Sequence, residues 1–167
     1  MNEKGKDKMK QLFSIQRQLD DRILRQHSLN RDAIYADKML ALQVEIGELA
    51  NETRCFKYWS KKPASDPEVI LEEYVDGLHF ILSLGIDGGW EDVPERKTKA
   101  VPTLTDQFHY IYNAAAVLHN EFTEEHFFIL FQEYLELGRL LGFTEKEIEA
   151  SYLRKNSANH QRQEEGY

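Results

Sequence analysis

Cysteine is nearly absent from this 167-residue sequence: Cys55 stands alone, so no internal disulfide can form. Long apolar runs are missing too, and none approaches the roughly 18 residues of a membrane-spanning helix. The opening "MNEKGKDKMK" is polar and lacks the apolar core of a signal peptide. These absences together predict a reducing, cytoplasmic setting away from membranes. Positive charge is in short supply, with 21 Lys and Arg against 29 Asp and Glu, a net charge of −8. Such a surface repels nucleic acid and anionic lipid, and a polyanionic ligand would need cations gathered locally. Strand-like alternation, internal repeats and low-complexity tracts are also lacking. What is present is helical periodicity, in a chain long enough for one full core and too short for a second domain.

Met9, Leu12, Phe13, Leu19, Ile23 and Leu24 recur at helical spacing and predict a helix over 8–27, with Gln16 and Asp20 inside its apolar stripe. A second helix is expected from Asp32 through Trp59. Asp66 and Pro67 read as cap and first turn of a third, running to about Leu84 and closed by Gly85, Gly88 and Gly89. Residues 85–104 carry glycine, proline and mixed charge without periodicity and read as a loop. Helices resume over 106–121, 124–141 and 145–159, the last opened by a capping box of Thr144 and Glu147. The expected fold class is all-α, a compact bundle of about six helices over residues 1–167. The segments "FHYIYNAAAVLHNEF" and "FFILFQEYLELGRLLGF" are too apolar for one outer layer, which suits a homodimer.

On the second helix Leu42, Ile46, Leu49, Thr53 and Phe56 form one stripe at about 100° per residue, with Glu45, Glu48 and Glu52 beside it, Ala41 among them and Val44 on their far side. The acids are thus flanked by apolar residues. Glu73 and Asp76 repeat the device on the third helix. Acids three apart share a helix face, and a facing helix with the same spacing brings four together. Like charges about 4 Å apart repel by roughly 1 to 4 kcal/mol, a standing cost unless a cation sits among them. Oxygen donors without histidine or thiolate suit Mg2+ or Mn2+, which bind phosphates as well. The plain alternative is a pair of solvated helix faces.

Glu45-x-x-Glu48 followed by Glu73-x-x-Asp76 resembles the signature of the all-α NTP pyrophosphatase superfamily. "FKYWS" at 56–60, "DGLHF" at 76–80, the early "FSIQRQLDDRI" and above all "YLRKNSANHQRQEEGY" at 152–167 resemble the motifs of its dimeric dUTPase family. The resemblance spans most of the chain. It implies magnesium-dependent hydrolysis of dUTP, and of dUDP, to dUMP, with pyrophosphate released from dUTP, by a homodimer. It implies that Glu45, Glu48, Glu73 and Asp76 hold the metal and that Glu45 or Glu48 orients the attacking water. Trp59 and Phe80 resemble the walls of the base and sugar pocket, with Asp76 near the deoxyribose hydroxyl and His79 close by. Gln16 and Asp20 would read the uracil edge, Asp20 at a position where relatives carry asparagine. Lys155, Asn159, Arg162 and Tyr167 would bind phosphates, with Lys57 and Lys61 as further candidates. Residues 154–167 would form a clamp, loosely ordered until substrate binds.

Read without the family, the same residues keep bland alternatives. Gln16 and Asp20 interrupt an apolar stripe and need partners, which a uracil edge or an interhelical hydrogen bond could supply. Trp59 and Phe80 could be core aromatics, and His79 a satisfied core histidine. Tyr152, Lys155, Asn159 and Arg162 fall on one helical stripe that suits a row of phosphates, or belong to a frayed polar terminus. Cys55 has no chemistry assigned. Two other functions remain open: a related pyrophosphatase acting on dCTP or a modified nucleotide, and a non-catalytic helical interaction protein.

Overall fold

A computed structural model describes residues 3–94 and 103–166, with side chains from Asp7 onward. Most of the expected 85–104 loop beyond Pro94, and Tyr167, lie outside these residues. Six α-helices appear: α1 (Glu3–Gln26), α2 (Tyr35–Thr53, preceded by a 3-10 turn Asp32–Ile34), α3 (Pro67–Gly88), α4 (Leu104–Asn120), α5 (Glu124–Leu140) and α6 (Glu145–Glu164). No strand occurs among the described residues. The all-α expectation holds.

The near-continuous apolar run of α3 makes it the central helix, since a helix apolar all round must be covered all round. It is buried at almost every position from Tyr74 to Ile86 and packs against α1, α2, α5 and α6. The antiparallel pair α4 and α5 covers α2 and α3 from one side. Thr103, Thr123 and Thr144 cap α4, α5 and α6 by accepting a backbone amide, and the capping box of Thr144 and Glu147 forms as expected.

Several helix ends differ from expectation, and α1 already begins at Glu3 rather than at residue 8. α2 stops at Thr53, where Arg54 adopts a left-handed backbone (φ 57°) and donates its amide to the Ala50 carbonyl, which the Thr53 hydroxyl also bonds at 2.8 Å. Residues 54–66, Trp59 among them, therefore leave the helix axis. α3 begins at Pro67 as expected, yet the Asp66 side chain makes no capping bond. The proline's fixed φ and the Asp66 carbonyl, which accepts from Val69 and Ile70, start the helix. Gly85 does not stop α3; a β-carbon there would lie 2.9 Å from the Phe13 ring, so this glycine admits packing partners, and Gly89 (φ 73°) ends the helix. α6 runs on to Glu164, past the expected end near 159 and through the segment expected to be loosely ordered.

α3 and α5 meet closely because each offers a glycine to a tyrosine of the other. Tyr74 and Tyr134 stack at 4.8 Å between centroids; the Tyr134 hydroxyl donates to the Tyr74 carbonyl at 2.8 Å and the Tyr74 hydroxyl to the Tyr134 carbonyl at 3.3 Å. A β-carbon at Gly138 would sit 2.6 Å from the Tyr74 hydroxyl, and one at Gly77 would sit 2.9 Å from the Tyr134 ring carbon bearing its hydroxyl. Gly77→Ala is therefore expected to lower stability by about 1 to 3 kcal/mol, the usual range for overpacking a filled core. Urea unfolding with an unchanged midpoint would show that this contact is not tight.

Candidate active site

The crossing of α2 and α3 puts Glu45 opposite Glu73 and Asp76, with one carboxylate oxygen of each within 4.8 Å of the others. At that separation two full charges repel by about 3 kcal/mol for an effective dielectric near 20. Proton affinities record the crowding. Burial first, then Asp76, Glu48 and Glu73, push the Glu45 carboxyl up to about 7. Glu73 is raised by burial and then by Asp76 and Glu48. Asp76 is raised by burial, against the pull of Lys155. Glu48 is exposed one turn along α2, outside the group of three but near enough to act on both glutamates. Glu52 follows, accepting a hydrogen bond from Ser65.

One cation is already there. Lys155 of α6 donates to Asp76 at 2.7 Å and to exposed Glu72 at 3.1 Å. Asn159 and Arg162 follow it along the same helix face. All three, with Glu45 and Asp76, line a cavity of about 430 Å³ whose other wall is α1. Gln16, Asp20, His79 and Phe80 line it too. The side that would receive a polyanion is thus cationic in a protein that is acidic as a whole.

The polar residues in the apolar stripe of α1 are buried and joined to one another. Gln16 donates from Nε2 to Asp20 Oδ1 at 2.7 Å, and Ser83 of α3 donates to Asp20 Oδ2 at 2.6 Å. His79 Nδ1 lies 2.7 Å from Gln16 Oε1, and the Tyr152 hydroxyl donates to the same oxygen at 2.5 Å. Burial holds the His79 imidazole neutral, lowering its pKa to about 3, and raises the Asp20 carboxyl above its ordinary value. His79 Nε2 is buried with no hydrogen-bond partner among the described residues.

A family model for dUTPase matches residues 8–167. The chain belongs to the dUTPase family. No curated protein sequence matches it. Membership in this dimeric, all-α dUTPase family makes the protein a hydrolase, a dUTP diphosphatase, and its substrate a nucleotide. No helix among the described residues is long and apolar enough to cross a membrane.

For a dUTPase the placement of each expected residue then matters. Gln16, Asp20, Glu45, Asp76, His79, Phe80, Lys155, Asn159 and Arg162 come together on one cavity, and Glu73 stands beside it. Trp59 does not join them. It is 64 % exposed and packs edge-on against Phe56 and Tyr58, because α2 ends before it and the chain turns away. Lys57 bonds Asn51 and lies over the Phe56 ring, and Lys61 is exposed; neither lines the cavity. Tyr167 lies outside the described residues.

Sequence reasoning missed Ser83 and a partly buried ion network at the cavity's far end. There Lys38, almost fully buried, pairs with Asp87, which also takes Arg31 at 2.7 Å; Arg31 reaches Asp21 at 2.5 Å and Asp20 at 3.8 Å. Asp87 sits in the last turn of α3, where helix carbonyls disfavour an anion, so two cations there offset a real cost. Ser83, one turn beyond His79 on an apolar helix, was the signal available.

The donor set fits a divalent metal: three clustered carboxylate oxygens with raised proton affinities, and a lysine ammonium drawn among them, define a place where positive charge lowers the energy. All donors are hard oxygens, which favours magnesium or manganese over softer metals.

Proposed function

We propose that the protein hydrolyses dUTP to dUMP and pyrophosphate, and dUDP to dUMP and phosphate, in a magnesium-dependent reaction carried out by a cytoplasmic homodimer. The observation that carries this reading is the convergence of Glu45 and Asp76 on a cavity, with Glu73 beside them, whose other walls are the polar Gln16 and His79, the apolar Leu19, Ile23 and Phe80, and the α6 face that carries Lys155 and Arg162. Magnesium, or manganese in its place, held by Glu45, Glu48, Glu73 and Asp76, would polarise the phosphates and acidify the attacking water.

The chain's own groups do the rest. Glu45 or Glu48 orients the attacking water and takes the proton it gives up as it attacks phosphorus. Lys155, Asn159 and Arg162 bind phosphate oxygens through charge-assisted and amide hydrogen bonds. Tyr167 is assigned to the same task on resemblance alone. Phe80 packs on the nucleoside, Asp76 faces the deoxyribose hydroxyl, and His79 stands next to it. Gln16 pairs with the base edge, while Asp20 holds Gln16. The cavity supports no role for Trp59, Lys57 or Lys61 within a single chain. The homodimer is supported by apolar side chains left exposed along α4 and α5, Tyr110, Val117 and Ile129, which sedimentation can test as an interface.

Turnover of a nucleotide panel with magnesium, with manganese and in excess chelator tests the reading. The expected result is hydrolysis of dUTP and dUDP only with metal, at rates well above those for dCTP, dTTP and UTP, because a buried polar edge left unpaired by the wrong base discriminates strongly. Equal rates on dCTP would favour a related pyrophosphatase. Undiminished turnover in chelator would remove the metal from the mechanism, and no turnover of any nucleotide would leave a helical interaction protein.

A further inference from the structure

Tyr152 falls on the α6 stripe with the phosphate-facing cations, but it does not share their environment. It is fully buried, its ring stacks on His79 with centroids 4.1 Å apart and planes 21° from parallel, and its hydroxyl meets Gln16 Oε1. We propose that Tyr152 is a positioning residue for base selection: by occupying Gln16 Oε1 together with His79, it leaves Gln16 only an N–H to offer the nucleobase. The proposal rests on the dUTP reading given above and adds a residue that acts behind the contacts named there.

Donor and acceptor bookkeeping carries the inference. The Asp20 carboxylate can only accept, so the Gln16 atom facing it is the amide nitrogen, and the opposite atom is the oxygen. That oxygen then receives the Tyr152 hydroxyl, and His79 Nδ1, 2.7 Å away, must carry the imidazole proton. A neutral imidazole has one N–H, so Nε2 is left as an acceptor. Two donors fill the two lone pairs of Gln16 Oε1. The second amide hydrogen of Gln16 remains to be given. A donor with no competing acceptor beside it complements a base carbonyl, such as those uracil carries. Cytosine carries an amino group where uracil has a carbonyl and would face the Gln16 N–H donor to donor. Ser83 closes the far end by holding Asp20 Oδ2, which keeps the carboxylate turned toward Gln16.

The test is Tyr152→Phe, which keeps the ring on His79 and removes only the hydroxyl. The Gln16 amide, then held by His79 and Asp20 alone, is freer to turn its oxygen toward a base amino group. With magnesium present, the ratio of kcat/KM for dUTP over dCTP is expected to fall about tenfold, the scale of one buried hydrogen bond, with the change carried by KM. A variant that melts at a lower temperature but keeps the wild-type ratio would overturn the positioning role. A second measurement needs no variant: the imidazole nitrogen shifts of His79 in the intact, 15N-labelled protein should show Nδ1 protonated and Nε2 bare. The reverse tautomer would overturn the proposal even if Tyr152→Phe fails to fold. If wild-type protein does not turn over dUTP, the functional reading fails instead. If it discriminates well and Tyr152→Phe discriminates equally well, only this inference fails.

Discussion

Glu45→Gln is expected to lower dUTP turnover by at least about a thousandfold while leaving the helical circular dichroism intact, and Asp76→Asn to do the same. A thousandfold corresponds to about 4 kcal/mol of transition-state stabilisation, the several kcal/mol that a correctly held divalent metal contributes. Stability should move the other way in metal-free buffer. Removing one carboxylate from three whose oxygens lie within 4.8 Å relieves repulsion, so the melting temperature should hold or rise. Glu45→Gln is the cleaner case, since Asp76→Asn also weakens the Lys155 pair. The pH dependence follows from the same crowding. The Glu45 carboxyl is raised from 4.5 to about 7, so between those values the folded state binds more protons than the unfolded one. Its contribution is fully present below pH 4.5 and is lost as pH rises through about 7. Urea midpoints of metal-free wild type should therefore fall across that window, and Glu45→Gln should flatten the fall. A lower melting temperature with an unaltered pH slope would assign Glu45 a structural role.

Truncation after Leu153 is expected to reduce dUTP hydrolysis by at least about a hundredfold, the loss that two charge-assisted contacts of roughly 1.5 to 3 kcal/mol each would cause. The cut removes Lys155, Asn159 and Arg162 from the cavity but spares Tyr152. Its cost in stability should be small. Several of the removed residues meet α1 through exposed or half-buried polar contacts: Arg22 with His160 at 3.3 Å and Glu164 at 3.4 Å, Gln26 with the Gln163 carbonyl at 2.8 Å, and His27 with the Gln163 side chain at 3.0 Å. Solvent-accessible pairs of this kind are worth at most about 1 kcal/mol each. The truncated protein should remain folded, with a melting temperature lower by only a few degrees. Proteolysis of full-length protein at the bonds following Arg154, Lys155 and Arg162 should slow when magnesium and a non-hydrolysable dUTP analogue are present. Full activity after truncation, or equal cleavage with and without ligand, would return these residues to a solvated helix end.

Much of the molecule could be read from sequence because the signals are local. Six helices follow from apolar spacing and from caps such as Thr144 with Glu147, where donor and acceptor lie three residues apart. The acid pairs of α2 and α3 were visible for the same reason: helical periodicity states which face a residue occupies, and carboxylates beside an apolar stripe cannot all point to water. Gln16 and Asp20 announced themselves as polar groups in an apolar row.

The tertiary structure decided whatever depends on what stands across from a face. α2 ends at Thr53 although Phe56 continues its stripe, so Trp59 lies outside the cavity its motif suggested. α6 continues to Glu164 without an apolar face of its own over those last turns, and its partners there are side chains of α1 about 140 residues earlier in the chain. Tyr152 shares a helical stripe with Lys155 and Arg162, yet only the packing of α6 against α1 and α3 places its hydroxyl on Gln16 and its ring on His79. Lys38, Arg31 and Asp87 carried no local sign of being joined, because their pairing spans the ends of three elements. Periodicity assigns a side chain to a face, but a hydrogen bond or ion pair also needs the donor on the opposing helix, and that partner is chosen by how the helices cross.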